Sequence, residues 1–372
     1  MDPNQNKATY DPDYQFGPGA RVGEYIVEAK IAEGGMGEVW VGTHPKINKR
    51  VAVKVLAQDL VANKKTVARF MQEARAVNEI RHRGLVDVFS FGELPDGRPY
   101  ILMEFLEGKT LGKFLQERRL LPFSEVLELM RQISEALQAA HDKNIIHRDL
   151  KPENIFLIFD GGSTPFVKLL DFGIAKLLDP ERAGPNLTRT GAIFGTPSYM
   201  SPEQCEGSKH VDHRSDIYAL GILTYEMLAG RTPFRESSDE GGGAIMAKQI
   251  HNPPPLVSSL VTGRKIPKTV DVYLQSVLSK DPEERPERCL DFYQGLLRAV
   301  GSLKSEETSA VQQALAFYGD GKRATSHSKT KNTGGYYAGA TTQTGLGSKL
   351  GALAALGLFL VLEWLVALFP SP

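Results

Sequence analysis

The stretch IIHRDLKPENIFLIFDGGSTPFVKLLDFG, residues 145–173, constrains the fold most. Two apolar, strand-like runs, 155–159 and 166–170, are joined by the turn-rich Asp160-Gly161-Gly162-Ser163-Thr164-Pro165. Asp149, Asp171, Asn154, Lys151 and Lys168 lie within or beside these runs, and a charge buried without a partner is costly. If the runs pair antiparallel, first residue against last, Asn154 comes to stand beside Asp171. Two oxygen-bearing side chains then converge at one end of a hairpin. Such a pair suits a hard cation like Mg²⁺, which takes few protein ligands and completes its octahedron with phosphate and water. Asp149 lies at the mouth of the same site, with Lys151 between it and Asn154. A surface loop of solvated charges is the plainer reading. The apolar runs that tie this loop down at each end argue against it.

A second charge sits in VAVKVL, residues 51–56. Strand alternation places Lys54 on the face of Ala52 and Leu56, both apolar. Residues 66–80 then carry Val67, Phe70, Met71, Ala74, Val77 and Ile80 at helical spacing, with Glu73 at the edge of that stripe. Either charge alone reads as snorkelling or exposed. Together, turned inward on successive elements, they most simply neutralise each other. Upstream, in IAEGGMGEVW, Gly34, Gly35 and Gly37 let a hairpin backbone approach phosphate closely, a weak signal by itself. It is not a Walker loop: Gly108-Lys109-Thr110 resembles the end of that motif, but Met103 stands where its first Gly belongs.

Composition limits the alternatives. Lys+Arg and Asp+Glu balance at 44 each among 372 residues, so no global basic field exists for nucleic acid. Cys205 and Cys289 lie far apart, without zinc-type spacing, and read as a reduced pair. Residues 1–23 are polar and rich in Pro and Gly and read as a flexible leader. Residues 24–300 read as compact, and 301–349 as a polar flexible linker with too few apolar residues to offset ordering. The linker's Thr325, Ser326, Ser328 and Thr330 are acceptors of the kind any polar linker carries. Residues 350–369 are almost wholly apolar and, at ~1.5 Å per residue, span about 30 Å, the thickness of a bilayer core. Glu363 is the objection. A central acid costs about 2.5–3.5 kcal/mol on insertion scales, and the surrounding Leu, Val and Phe offset it with roughly 4–7 kcal/mol. A helix packed in a groove of the same protein is the alternative. Lys331 and Lys349 flank the N-terminal side, which predicts a single-pass inner-membrane protein with its folded domain in the cytoplasm. Gly347 and Gly351 form a GxxxG that hints at helix dimers, though a chance match is the simpler reading.

In order and spacing, these motifs resemble the eukaryotic-like (Hanks-type) Ser/Thr protein kinases, especially the membrane-attached bacterial ones. The series runs through the Gly-rich loop at 32–39, VAVK at 51–54, Glu73, HRDLKPEN at 147–154, DFG at 171–173 and GTPSYMSPE at 195–203. Asp216 in DIYALG and Arg285 in DPEERP complete it. The resemblance implies an α+β, bilobal kinase fold: a small β-rich N-lobe at 24–104 and a large, mainly helical C-lobe at 105–300, with one C-terminal transmembrane helix. It implies ATP under the Gly-rich loop (Ala32, Gly34, Gly35, Gly37), with Val39 and Ala52 on the adenine, Met103 at the back of its pocket, and Glu104 to Leu106 as the hinge. Lys54 would hold the α- and β-phosphates, positioned by Glu73. Asp149 would take or orient the substrate hydroxyl proton, Lys151 would neutralise the γ-phosphate, and Asn154 and Asp171 would bind Mg²⁺. Thr196 with Lys151 is the pattern of Ser/Thr rather than Tyr kinases, and Glu203 with Arg285 looks like the family's structural ion pair.

The sequence departs from the family's pattern in places. Ala32 replaces the first loop Gly and predicts a modest tightening. Ser201 replaces Ala in the APE motif, a minor change. Tyr218 and Ala219 stand where Trp and Ser are often found and predict altered packing rather than chemistry. Thr188 and Thr190 are candidate phosphosites, and Arg148 a natural partner for the roughly −1.5 to −2 charge a phosphate adds. The implied partners are ATP, proteins bearing Ser or Thr, a second copy for trans-autophosphorylation, and a membrane, with no nucleic acid. Two other classes compete. A pseudokinase scaffold is usually marked by loss of Lys54, Asp149 or Asp171, and none is lost. A small-molecule phosphotransferase would share the lysine and acids but not GTPSYMSPE, which resembles a peptide-docking segment.

Overall fold

A computed structural model describes residues 11, 13–162, 164–172, 197–208, 211–235 and 242–301, without the side chains of Arg69, Glu73, Ala76 and Val77. Residues 302–372, which hold nearly all of the linker and the apolar run 350–369, lie outside the described residues. Among the described residues no helix is long and apolar enough to cross a membrane.

The N-terminal half is an antiparallel sheet of β1 (Arg21–Val22), β2 (Tyr25–Gly34), β3 (Gly37–Thr43), β4 (Arg50–Leu56), β5 (Val88–Glu93) and β6 (Pro99–Glu104), in the order β1-β2-β3-β4-β6-β5. Every residue of β4 after Arg50 is buried, because the two faces of the strand meet different clusters. Val51, Val53 and Val55 pack with Trp40 and Leu102, whereas Leu56 packs with Phe70, Ala74 and Ile101. Phe70 and Ala74 belong to α1 (Lys64–Glu79), which lies against the Lys54 face. The helix begins two residues before the expected 66 and ends one short of 80. Asn63 explains the early start, since its Oδ1 accepts from the N–H groups of Lys65 (3.1 Å) and Thr66 (3.3 Å).

The expectation of a flexible leader through residue 23 fails for its second half. Phe16 meets Trp40 edge-on with ring centroids 5.4 Å apart, and Tyr14 and Ala20 pack on the same cluster. Val22 is buried within it, and β1 pairs with β2. Two aromatic rings bury enough apolar area to offset the ordering of a short Pro/Gly-rich segment.

The C-terminal half is mainly helical: α2 (Leu111–Arg118), α3 (Phe123–His141), α4 (Pro202–Cys205), α5 (Arg214–Ala229), α6 (Gly242–His251), α7 (Val257–Leu260), α8 (Lys268–Val277) and α9 (Cys289–Val300). A small sheet, β7 (Lys109–Thr110), β8 (Ile155–Ile158) and β9 (Phe166–Leu169), carries the hairpin expected from residues 155–170. The molecule therefore has the bilobal α+β form. Helix α5 is apolar on all sides and buried along nearly its whole length, as befits a central core helix. It packs against α3, α7 and α8, while α3 lies along α9.

The β8–β9 hairpin forms, but its register differs by one from the expectation. Ile155 pairs with Leu169, not with Leu170. Leu170 N–H donates to Asn154 O at 2.8 Å, so the residue opposite Asn154 is Leu170, and Asp171 follows one position on. The strands close one residue earlier because Leu169 is held from the other side: its N–H donates to Gly84 O, and its carbonyl accepts from Val86 N–H. The Glu203–Arg285 pair is bidentate, with both N–O distances 2.8 Å, and the Arg285 side chain is wholly buried. It ties α4 to the turn before α9.

Candidate active site

Strand register assembles the N-lobe half of the site. Residues directly opposite in an antiparallel sheet share a face. Ala32 is opposite Val39, Val39 opposite Lys54, and Ala52 opposite Met103. The predicted lining residues thus lie in adjoining rows on one face. The hairpin tip joining β2 to β3 is held down by Ala57 N–H donating to Met36 O at 3.0 Å. Gly37, with φ +148°, requires glycine: a Cβ there would lie 1.9 Å from Val55 O. Glu104 is fixed on both sides. Its N–H donates to Asp87 O (2.9 Å), and its carboxylate accepts from Asp87 N–H (2.8 Å) and pairs with Lys168.

The C-lobe half is the segment from His147 to Asn154. Asp149 Oδ2 lies 3.0 Å from Lys151 Nζ and accepts from Asn154 Nδ2 at 3.1 Å. Asn154 Nδ2 also donates to Asp149 O at 2.8 Å. Across the cleft, Lys54 Nζ donates to Asp171 Oδ1 at 2.6 Å. The structure thus joins Lys54 to Asp171, and Asp149 to Lys151 and Asn154, at the end of the β8–β9 hairpin. The Lys54–Glu73 pairing rests on a side chain outside the described residues; the Glu73 backbone lies in α1. Thr188, Thr190 and Thr196 also fall outside them.

What holds this loop is the buried carboxylate of Asp216, in the first turn of α5. Oδ1 accepts from Arg148 N–H (2.8 Å). Oδ2 accepts from His147 N–H (2.8 Å) and His141 Nε2 (2.7 Å). Arg148 has φ +61°, a conformation that costs a non-glycine residue about 1–3 kcal/mol and persists only where its surroundings enforce it. Gln204 Nε2 completes the enforcement by donating to Arg148 O at 2.9 Å. Burial alone would depress the pKa of His141, but hydrogen bonds to Asp216 and to the Cys289 sulfur, 3.4 Å from Nδ1, push it up to about 10. Burial would raise Asp216, but the His141 hydrogen bond and charge hold it below the usual carboxylate range. Burial pushes the His147 pKa down; its ring lies tilted against Phe172 with centroids 4.7 Å apart, and Nε2 donates to Leu170 O at 3.0 Å.

Sequence reasoning does not foresee His141, Gln204 or the partner of Lys168. Lys168 stands out as one of two lysines in the hairpin stretch, yet its targets, Leu85 O at 2.9 Å and Glu104, lie far upstream. For His141 a signal does exist: it ends an otherwise amphipathic helix on that helix's buried face.

The fold and the site define a protein kinase domain. The family model for that domain matches residues 25–294, and the chain belongs to this family. The chain is 44% identical over 267 residues to the serine/threonine-protein kinase Pkn1 of Myxococcus xanthus, covering 72% of this chain and 37% of that one. It is 38% identical to pkn3 of the same organism (78% and 52% covered) and 37% identical to PknL of Mycobacterium tuberculosis (70% and 62%). The chain therefore spans less than two thirds of the length of these relatives. The crystal structure of the M. tuberculosis PknI kinase domain matches with a TM-score of 0.59 at 27% identity, covering 77% of this chain and all of that one.

The buried His141–Asp216 pair sets a pH dependence. The folded pKa of His141, about 10, lies above its ordinary 6.5. Its stabilisation is therefore complete below pH 6.5 and lost as pH rises through about 10. That of Asp216, whose pKa is lowered from 3.8, is present above pH 3.8 and lost as pH falls through the lowered value. Urea unfolding of the unmodified protein and of His141→Gln should give free energies that converge between about pH 7 and 10. A constant difference across that window would refute the charged pair.

Proposed function

We propose that this chain transfers the γ-phosphoryl group of ATP to Ser and Thr hydroxyls of proteins, in signal transduction. The observation that carries the reading is the single constellation of Lys54–Asp171 and Lys151–Asp149–Asn154 at one hairpin end. Asp149 orients the substrate hydroxyl and takes its proton, and Lys151 balances charge on the transferring group. Lys54, positioned by Glu73, aligns the donor phosphates under Gly34, Gly35 and Gly37. Val39, Ala52 and Met103 line the adenine site, and the Glu104 carbonyl and Leu106 backbone serve its edge. Little covalent chemistry falls to such residues, so the rate comes from alignment and charge stabilisation.

The residues fit Mg²⁺. The Asn154 amide nitrogen is occupied by Asp149, which leaves the amide oxygen as its acceptor group, and Asp171 is half exposed with Oδ1 bonded to Lys54. Among the described residues no three His, Cys, Asp or Glu side chains form a cage, and an Asn–Asp pair suits a cation that keeps phosphate and water ligands. Bound there, Mg²⁺ would neutralise phosphate charge.

Two further readings belong to this proposal. Arg148 donates to Val211 O (3.2 Å), and its buried Nε has no acceptor among the described residues, which suits it to receive a phosphate on Thr188 or Thr190 placed there by a second copy of the chain. Residues 350–369 anchor the protein in the inner membrane, with the kinase domain in the cytoplasm; their length and apolarity support this.

Asp149→Ala should lower phosphate transfer to dephosphorylated casein by about 10²–10⁴-fold with ATP binding retained; undiminished transfer would sink the kinase reading. The Thr188/Thr190 double Ala variant, stripped by phosphatase, should no longer gain activity on preincubation with ATP, and a full recovery removes the phosphosite proposal. A chain ending at residue 349 should move from the membrane pellet to the soluble fraction. If it stays in the pellet, the anchor lies elsewhere.

A further inference from the structure

The segment that begins at Pro197 is a tight turn, Pro197–Tyr199, within the stretch that resembles a peptide-docking segment. Both of its first two carbonyls are held by one side chain. Gln249 Nε2 donates to Ser198 O at 2.8 Å and to Pro197 O at 3.2 Å. Gln249 lies on α6 and is wholly buried, so its amide needs partners on every side. Its Oε1 accepts from the Tyr218 hydroxyl at 2.5 Å. Its backbone carbonyl, in the last turn of α6 where helical N–H donors run out, accepts from Lys280 Nζ at 2.6 Å. Lys280 Nζ also lies 3.4 Å from the Tyr218 hydroxyl and 4.8 Å from the centre of the Phe234 ring.

Two features mark this as more than packing. Lys280 is part-buried, yet among the described residues no carboxylate pairs with its ammonium, and its charged neighbour is Arg285. Burying an unpaired ammonium is unfavourable, so the position must be held by what the ammonium binds. Tyr218 stands where the family often has Trp, and the sequence predicts only altered packing. The hydroxyl instead supplies the hydrogen bond that fixes which end of the Gln249 amide faces the docking segment.

We propose that Lys280, Tyr218 and Gln249 form a positioning relay that holds Pro197 and Ser198 in place for the polypeptide substrate and so sets peptide affinity. The inference rests on the kinase reading above. None of the three touches the reacting groups, so the relay acts through the docking segment alone. The conservative Lys280→Arg keeps a cation for the Gln249 carbonyl, whereas Lys280→Met removes it.

The test is steady-state kinetics of the full chain with dephosphorylated casein and ATP, alongside hydrogen exchange at the Met200 amide, which donates to Pro197 O. Tyr218→Phe and Lys280→Met should each raise KM for casein about five- to tenfold, the worth of one hydrogen bond, with kcat and KM for ATP within about twofold. Lys280→Arg should restore KM. Exchange at Met200 should quicken in both loss variants. Unchanged KM and unchanged exchange in Tyr218→Phe and Lys280→Met would overturn the relay while leaving the kinase reading intact. So would a parallel fall of kcat and rise of KM for ATP, which marks general damage. An unmodified chain that phosphorylates no polypeptide would overturn the kinase reading and the peptide role together, and the exchange data would then report only on the contact.

Discussion

One buried carboxylate determines the shape of the catalytic loop. Asp216 accepts two consecutive backbone N–H groups and an imidazolium, and it sits on a helix surrounded by core on every side. A charge in that setting is tolerated only when it is fully paired and hydrogen-bonded, and both of its oxygens are engaged here. The loop therefore inherits the rigidity of the core. Helix α3 supplies His141, α5 supplies Asp216, and α9 supplies the Cys289 sulfur, so three packed helices must meet correctly before Arg148 can adopt its positive φ. The strain at Arg148, about 1–3 kcal/mol, is smaller than the cost of leaving a buried carboxylate and two N–H groups unpaired, which is why the loop does not relax.

A different logic governs the ion pairs between the lobes. Lys54 is 10% exposed and Asp171 is 49% exposed. A pair half open to water adds little stability, on the order of 0–1 kcal/mol. Its consequence is geometric: it brings the end of the β8–β9 hairpin to the sheet face lined by Val39 and Ala52, and leaves one carboxylate oxygen open. Lys168 acts nearby, joining the same hairpin to Glu104 at the point where the chain passes from one lobe to the other. Two of the hairpin charges that pose the puzzle in the sequence, Lys168 and Asp171, are thus spent on contacts with the N-lobe.

Much of this is legible in the sequence alone. Alternation and turn residues locate the β8–β9 hairpin, and motif order identifies the family. Strand period taken together with the helical Glu73 points Lys54 inward. What escapes does so for physical reasons. The hairpin register shifts by one because Leu169 is held by Gly84 and Val86, contacts from a distant loop. The start of α1 moves because an Asn cap outweighs the apolar stripe. The leader reads as flexible because its Pro and Gly content hides two aromatics that find Trp40 only in three dimensions. His141 and Gln204 meet their partners 75 and 56 residues away, beyond the reach of any local pattern.

The polar contacts also divide by lobe. Gln249, the Glu203–Arg285 pair and the Tyr199–Glu226 hydrogen bond (2.7 Å) all tie the segment from Pro197 to α4 into the C-lobe. The Gly-rich hairpin, through Met36 O and Ala57 N–H, is tied to the N-lobe. On the proposed reading, the acceptor's docking segment and the donor's cover are then carried by separate lobes. Between the lobes, the Lys54–Asp171 ion pair is more open to water than Lys168–Glu104. On that reading, a hinge motion that opened the Lys54–Asp171 pair would displace donor from acceptor. A solvent-open ion pair between two internally well-bonded lobes is the arrangement that such a motion would require.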